Sequence, residues 1–279
     1  MLAPALILLG IFVLWPMVYS AYLSFFDWSF YKDPVFVGVN NFRRVLTDPA
    51  FIASVGRGLL FAVMVVPTQL VLAFVFASLV AGVSRRVAAA LKVSIFIPTA
   101  ISTVIASIVF ILIYQYHGGI ANWVLGFFGV DAQAWLADTT LALPAMAVPA
   151  IWLGLGIAAL IMLSGLLDIP VSYYEAAEID GANWWQRTVN ITIPLLRNII
   201  LYLTIAGFVA NVQQFELPLV LTNGGPLQAT MLPNLLIFTH FRDDVTAGYS
   251  IAAAFLLFIV MGSISALIFR FLNSAQAED

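Results

Sequence analysis

Six stretches of this chain are long and apolar enough to cross a lipid bilayer, and this limits the fold more than any other feature. A spanning helix needs about 20 predominantly apolar residues. Such stretches run at about 2–26, 58–83, 93–116, 141–167, 195–221 and 249–272. Inside lipid every backbone polar group must be satisfied within the protein, which leaves helices or closed barrels, and stretches of this length predict helices. Composition agrees. Of 279 residues, 63% are hydrophobic and 9% charged, whereas a soluble domain carries about 25% charged residues. The expected fold class is an all-α membrane protein with six transmembrane helices, forming a single domain over 1–279. The first stretch has no Lys or Arg before it and exceeds the length of a signal-peptide core, so it reads as a retained span. Pro16, Pro98, Pro144, Pro149 and Pro218 fall within the spans, where neighbouring helices can re-satisfy the carbonyls that proline frees.

Much chemistry is excluded. A net charge of −3 argues against a nucleic-acid partner. Without Cys there is no disulfide framework or thiol chemistry. The two histidines, His117 and His240, lie outside the spans and in no metal-ligand spacing. No GxxxxGK[ST] phosphate loop, GxSxG elbow or HExxH pair is present. The two halves share no detectable repeat, which weakens an inverted-repeat secondary transporter.

The longest polar stretch is 168–194, DIPVSYYEAAEIDGANWWQRTVNITIP, between the fourth and fifth spans. Its start and stop signals predict two short helices. Pro170 ends the preceding helix, Ser172 and Glu175 have capping-box spacing, and Gly181 suits a left-handed cap. Asn183 and Gln186 repeat the box, and Pro194 breaks the pattern as apolar sequence returns. A long loop with this much internal order reads as a surface for another protein. On the other side, Asp48-Pro49 reads as a turn and Asn41 as the cap of a short surface helix. Trp28, Tyr31 and Phe42 suit the interfacial belt, and Asn223-Gly224-Gly225-Pro226 is a loop signal.

Polar groups within the spans are few, and such groups mark substrate pathways. Gln69, alone in span two, reads as structural, and Gln115 ends span three. Span five holds Asn211, Gln213, Gln214 and Glu216. Asn211 and Gln214 are three apart and share a helical face. Paired amides offer donors and acceptors to a hydroxyl-rich solute, although a hydrogen bond to another helix would also explain them. No Lys or Arg lies at mid-span, which favours a neutral, polyhydroxylated substrate over a phosphate ester. A glycerol-phosphate-type or other polar solute is the alternative, and Glu216 leaves open, behind it, a self-sufficient, proton-coupled transporter. Gly154-Leu155-Gly156 reads as a helix-packing site.

The loop also carries a resemblance. Glu175-Ala176-Ala177, then Asp180-Gly181-Ala182, then Ile191-Thr192-Ile193-Pro194 resembles the EAA loop of ABC importer permeases. VGVNNFRRVLTDPAF, IFIPTAIS and LTNGGP resemble segments of the sugar-permease branch, the maltose, trehalose and glycerol-phosphate type. The resemblance implies a type I importer permease, one of two different permease subunits. Two ATPase subunits would bind ATP and Mg, leaving this chain no cofactor of its own, and an extracytoplasmic solute-binding protein would deliver the solute. The chain would sit multi-pass in the cell membrane with both termini cytoplasmic. Charge counting cannot fix that orientation, since six cations (Arg85, Arg86, Lys92, Arg187, Arg197, Arg270) face five (Lys32, Arg43, Arg44, Arg57, Arg242). Glu175, Ala176, Ala177, Glu178, Asp180, Gly181 and Pro194 would form the cytoplasmic coupling helix and its turn. Trp152, Gly154, Asn211 and Gln214, with Glu216 and Gln115, would line the substrate path. Arg57-Gly58 stands where many relatives carry Asn-Thr.

Overall fold

The computed structural model describes residues 3–29, 32–243 and 247–274; residue 2, where the first stretch begins, and Tyr31 lie outside them. Among the described residues five helices are long and apolar enough to span a membrane: Ala3–Leu23, Pro49–Ala81, Ala142–Leu167, Arg197–Leu221 and Ala247–Arg270. The third apolar stretch is no single rod. Arg85–Ala100 and Thr103–Ile113 meet at 94°.

The core is a parallel pair. At one end Phe61 and Val65 of Pro49–Ala81 pack on Leu143, Met146 and Ala147 of Ala142–Leu167. At the other, Ala73, Ala77 and Val80 meet Ala158, Ala159, Met162 and Leu163. Small residues in such a seam let two backbones approach closely in lipid, where packing rather than water exclusion drives association. The bent pair runs along this core from end to end, with Ala88, Leu91 and Ile95 against the second cluster and Phe110 against the first. Gly156 makes room for its break: a Cβ there would sit 2.5 Å from the Ile95 carbonyl oxygen.

Three of the prolines have a local solution. Pro149 cannot donate to the carbonyl of Ala145, four residues earlier. The Tyr114 hydroxyl donates to that oxygen instead, at 2.9 Å. Pro16 and Pro194 each follow a π-helical turn by two residues, at Gly10–Leu14 and Thr188–Thr192. The wide turn relieves the clash of the ring with the carbonyl four residues back. Pro194 therefore continues the helical path rather than breaking it, contrary to the sequence expectation.

Span two begins earlier than hydropathy places it. Asp48 is an N-cap, its Oδ1 accepting from the Ala50 amide at 2.9 Å, and Pro49 is the first helical residue. The Asp-Pro pair is a helix start and not a free turn. The second Asp48 oxygen accepts from the Tyr249 hydroxyl of the last span. Arg57 lies within this long helix and donates to the Met231 carbonyl at 3.1 Å, while Gly58 admits Pro233. Asn41 does not cap the Asn40–Thr47 helix. It is buried, and its amide donates to the Ser24 and Phe26 carbonyls at 2.9 Å each. It thereby ties that helix to the antiparallel hairpin Phe26–Ser29/Lys32–Phe36.

The Tyr114–Ala145 bond gives a prediction. Tyr114→Phe leaves a buried carbonyl without a donor and should lower stability by about 0.5–2 kcal/mol. Pro149→Ala supplies a helical N–H to the same oxygen, so Tyr114→Phe should be nearly neutral in that background. Melting of the four proteins in detergent tests the cycle; equal losses in both backgrounds would refute the substitution of one donor for the other.

Candidate functional site

A cavity of about 370 Å³ opens where three helices pass the break in the third. Pro49–Ala81 contributes Gln69, and Ala142–Leu167 contributes Leu153, Gly154 and Ile157. Thr99 and Thr103 flank the break, and Tyr202, Gly207, Asn211 and Gln214 come from the fifth apolar stretch. Its lining has three amides, three hydroxyl groups and no charged side chain.

The chain makes this site by interrupting helices. The Arg197–Val212 helix stops, residues 213–215 are not helical, and Glu216–Leu221 restarts with Pro218 in its first turn, where its missing N–H costs nothing. Asn211 and Gln214 therefore meet in the cavity beside a break, not on one continuous helical face. Their side chains each spend one atom on local backbone. Asn211 donates to the Gly207 carbonyl at 2.8 Å, and Gln214 Oε1 accepts from the Phe215 amide at 2.9 Å. The Asn211 carbonyl oxygen and the Gln214 amide nitrogen remain available to a ligand. Thr99 donates to the Leu153 carbonyl at 3.1 Å, tying the break to the cavity wall.

Gln69 corrects the sequence reading. It is not a structural amide at a helix seam but a cavity-lining one, facing Gly154: a Cβ at 154 would lie 2.2 Å from Gln69 Nε2. Gly154 is thus the floor on which that amide rests. Three of the predicted path residues are elsewhere. Trp152 packs on Phe110 with ring centroids 5.8 Å apart. Gln115 is exposed beyond the end of Thr103–Ile113. Glu216 is exposed at the start of its own short helix. None of the three lines the cavity. Sequence reasoning missed Thr99 and Tyr202, because Thr and Tyr are common in apolar spans. The small residues Ala206, Gly207 and Ala210, spaced to leave room beside Asn211, were the available signal.

The 168–194 loop forms a compact unit at the end of the bundle remote from Leu143 and Phe61. Its first helix is Val171–Ile179, with Pro170 in the cap position and no side-chain cap bond. The Ser172–Glu175 box is not formed, because Pro170 already starts the helix and leaves Ser172 inside it. Glu175 is exposed and is not a capping residue. Gly181, at φ +74°, closes the helix as expected. The amides of Gly181 and Ala182 donate to the Glu178 and Ala177 carbonyls at 3.0 and 2.8 Å, a Schellman cap that a left-handed residue makes possible. The Asn183–Gln186 box forms in both directions. Two further bonds tie the arms together: Arg187 to Glu178 at 3.5 Å, and Tyr174 to Thr192 at 3.0 Å. Ala176 and Asp180 are exposed, as are Val171, Tyr173, Trp184, Trp185 and Ile179, the last at 87%.

Residues 50–277 match the family model described as "Binding-protein-dependent transport system inner membrane component". The sulfoquinovosyl glycerol transport system permease protein SmoG of Agrobacterium fabrum is 30% identical over 276 residues, which is 98% of this chain and 89% of that protein. The trehalose/maltose transport system permease protein MalF of Thermococcus litoralis is 31% identical over 243 residues, 87% of this chain and 82% of that one. A chain in the crystal structure of a bacterial ABC transporter involved in import of the acidic polysaccharide alginate has the same fold. Its TM-score is 0.84 at 21% identity, covering 98% of this chain and 94% of its own.

The contact between Gly154 and Gln69 is testable without any ligand. Gly154→Ala should destabilise the chain by about 1 kcal/mol or more, as overpacking does. Gln69→Ala should relieve most of that loss, giving a coupling of roughly 0.5 kcal/mol or more in a double-mutant cycle. Additive losses would place the amide elsewhere.

Proposed function

We propose that this chain, which belongs to the family of binding-protein-dependent transport system inner membrane components, forms half of the import path for an uncharged, hydroxyl-rich solute of the sugar class. The observation that carries this reading is the cavity: Gln69, Asn211 and Gln214 with Thr99, Thr103 and Tyr202, and no ionised side chain. Amides and hydroxyls offer both donors and acceptors, which matches the mixed demands of sugar hydroxyls. A phosphate or carboxylate would instead call for a cation or a converging set of donors. The relatives named above act on both neutral and acidic carbohydrates by their descriptions, so the family leaves the charge of the solute open, and the lining argues for neutral. Glu216 stands outside that lining, which removes the basis for a proton-coupled mechanism through it.

The path needs a second permease subunit for its other half, two ATPase subunits that bind ATP and Mg, and an extracytoplasmic binding protein that delivers the solute. The 168–194 loop is the coupling element, docking in a groove of one ATPase subunit. It faces the cytoplasm, and six crossings then put both termini on the same side. Its exposed Val171, Tyr173, Ile179, Trp184 and Trp185 form the apolar part of that interface, and Glu175 offers a free carboxylate to a cation of the ATPase. The Glu178–Arg187 and Tyr174–Thr192 bonds make the loop move as a unit. Because it joins Ala142–Leu167 to Arg197–Val212, a displacement reaches two walls of the cavity directly.

Two outcomes are expected. Glu175→Lys, and Gly181→Val at its left-handed position, should abolish ATP-driven uptake while the protein still inserts and assembles with its second permease. Full uptake by both variants would eliminate the coupling role. In proteoliposomes of the whole importer, Asn211→Ala and Gln214→Ala should each slow uptake of a neutral di- or oligosaccharide about fivefold, the effect of losing one ligand hydrogen bond of roughly 1 kcal/mol. Uptake restricted to sugar phosphates would overturn the neutral-solute reading.

A further inference from the structure

The segment that joins the bent pair to Ala142–Leu167 contains an eight-residue helix, Ile120–Phe127, whose surroundings are one-sided. Ala121, Asn122 and Leu125 are turned toward the protein, while Ile120, Trp123, Val124 and Phe127 are exposed, Trp123 at 65% and Phe127 at 69%. At about 100° per residue the exposed four fall within an arc of about 100°. The outward face is wholly apolar, and the polar side chain of the helix, Asn122, lies on the inward side between Ala121 and Leu125.

The polar side is firmly held. The Asn122 amide donates to the Gln133 carbonyl at 3.0 Å and to the Tyr116 carbonyl at 3.2 Å. Its oxygen accepts from the Gln133 amide at 3.0 Å and from Trp135 Nε1 at 2.9 Å. Trp135 in turn packs on Tyr114, whose hydroxyl holds the Ala145 carbonyl. One asparagine thus fixes the helix beside the end of Thr103–Ile113, whose Val104, Ile105, Ile108 and Leu112 are exposed as well. By the packing order, this end of the bundle is opposite the 168–194 loop.

We propose that Ile120–Phe127 is an in-plane membrane anchor, with Ile120, Trp123, Val124 and Phe127 seated in the boundary between headgroups and acyl chains on the face opposite the 168–194 loop. Three observations commit the surface to lipid. It lies at the end of a helix of the apolar, membrane-length bent pair. It carries Trp and Phe, which favour that boundary. No Lys or Arg occurs anywhere from 93 to 186, so attachment is apolar and indifferent to anionic headgroups. Its effect is to hold the outer ends of two helices that border the cavity at a fixed depth.

The absence of Cys makes the test direct. Val124→Cys and, as a reference, Asp131→Cys are labelled with an environment-sensitive fluorophore in the full chain, in phosphatidylcholine nanodiscs, with and without its co-expressed partner subunits. The label at 124 should emit to the blue of that at 131 and be quenched by brominated lipid but not by iodide, regardless of partners and of added anionic lipid. In the same background, Trp123→Ser with Phe127→Ser should move the emission to the red and restore iodide quenching. Iodide quenching at 124 in the unmodified helix would overturn the anchor. So would shielding from both quenchers that arises only when partners are present, which would make the face a protein interface.

Discussion

Inside a bilayer no water can repair a broken backbone hydrogen bond, and the structure depends on how this chain repairs them itself. The cavity exists because two helices stop beside it, and each interruption frees amides or carbonyls. The repairs come from nearby side chains. Gln214 accepts from Phe215, and Tyr114 holds the carbonyl that Pro149 leaves open, while Thr99 ties the bent pair to the Leu153 carbonyl. Irregular backbone at membrane depth is stable only where it is buried in protein or lines a cavity. The site and the breaks therefore require each other.

That dependence explains the division between core and site. The Pro49–Ala81/Ala142–Leu167 seam is apolar, with Ala, Val, Leu, Met and Phe, and both helices run unbroken through it. The interrupted elements, the bent pair and the fifth apolar stretch, are packed around it. Gly154 and Gly156 are where the two regimes touch. The first accepts the Gln69 amide and the second accepts the backbone of the bend. A side chain at either position would push a functional element away from the rigid pair that positions it.

The membrane class, the helical spans and the 168–194 unit were legible in sequence, because length and hydropathy report burial in lipid and because Gly181 and the Asn183–Gln186 box are local signals. What was not legible depends on tertiary context. Hydropathy places the start of span two at the first unbroken apolar run, yet Asp48 and Pro49 start the helix earlier, since a cap acts through geometry and not through polarity. The 94° break at 101–102 has only Pro98 as a sequence trace. Asn211 and Gln214 were found by spacing, although the spacing argument assumed a helix that ends between them. Gln69 looked structural because a lone amide gives no pattern; its meaning comes from Gly154 on another helix. Glu216 and Gln115 drew attention by residue type and Trp152 through the resemblance, and neither determines which way a helix is turned.

In the function proposed above the cavity is a transport site, which must bind its solute weakly enough to release it, and its lining is suited to that. Asn211 and Gln214 each give one atom to the backbone and retain one for a ligand, while the Gln69 amide rests against a glycine rather than a polar partner. Each contact offered is a single neutral hydrogen bond, worth about 1 kcal/mol net. Such contacts discriminate by number and position rather than by strength. A small rotation of either helix joined by the 168–194 loop changes how many can be made at once. On the proposed reading, weak, distributed contacts on walls joined by the loop would let a modest displacement there alter affinity at the cavity, with no charged group needed in the path.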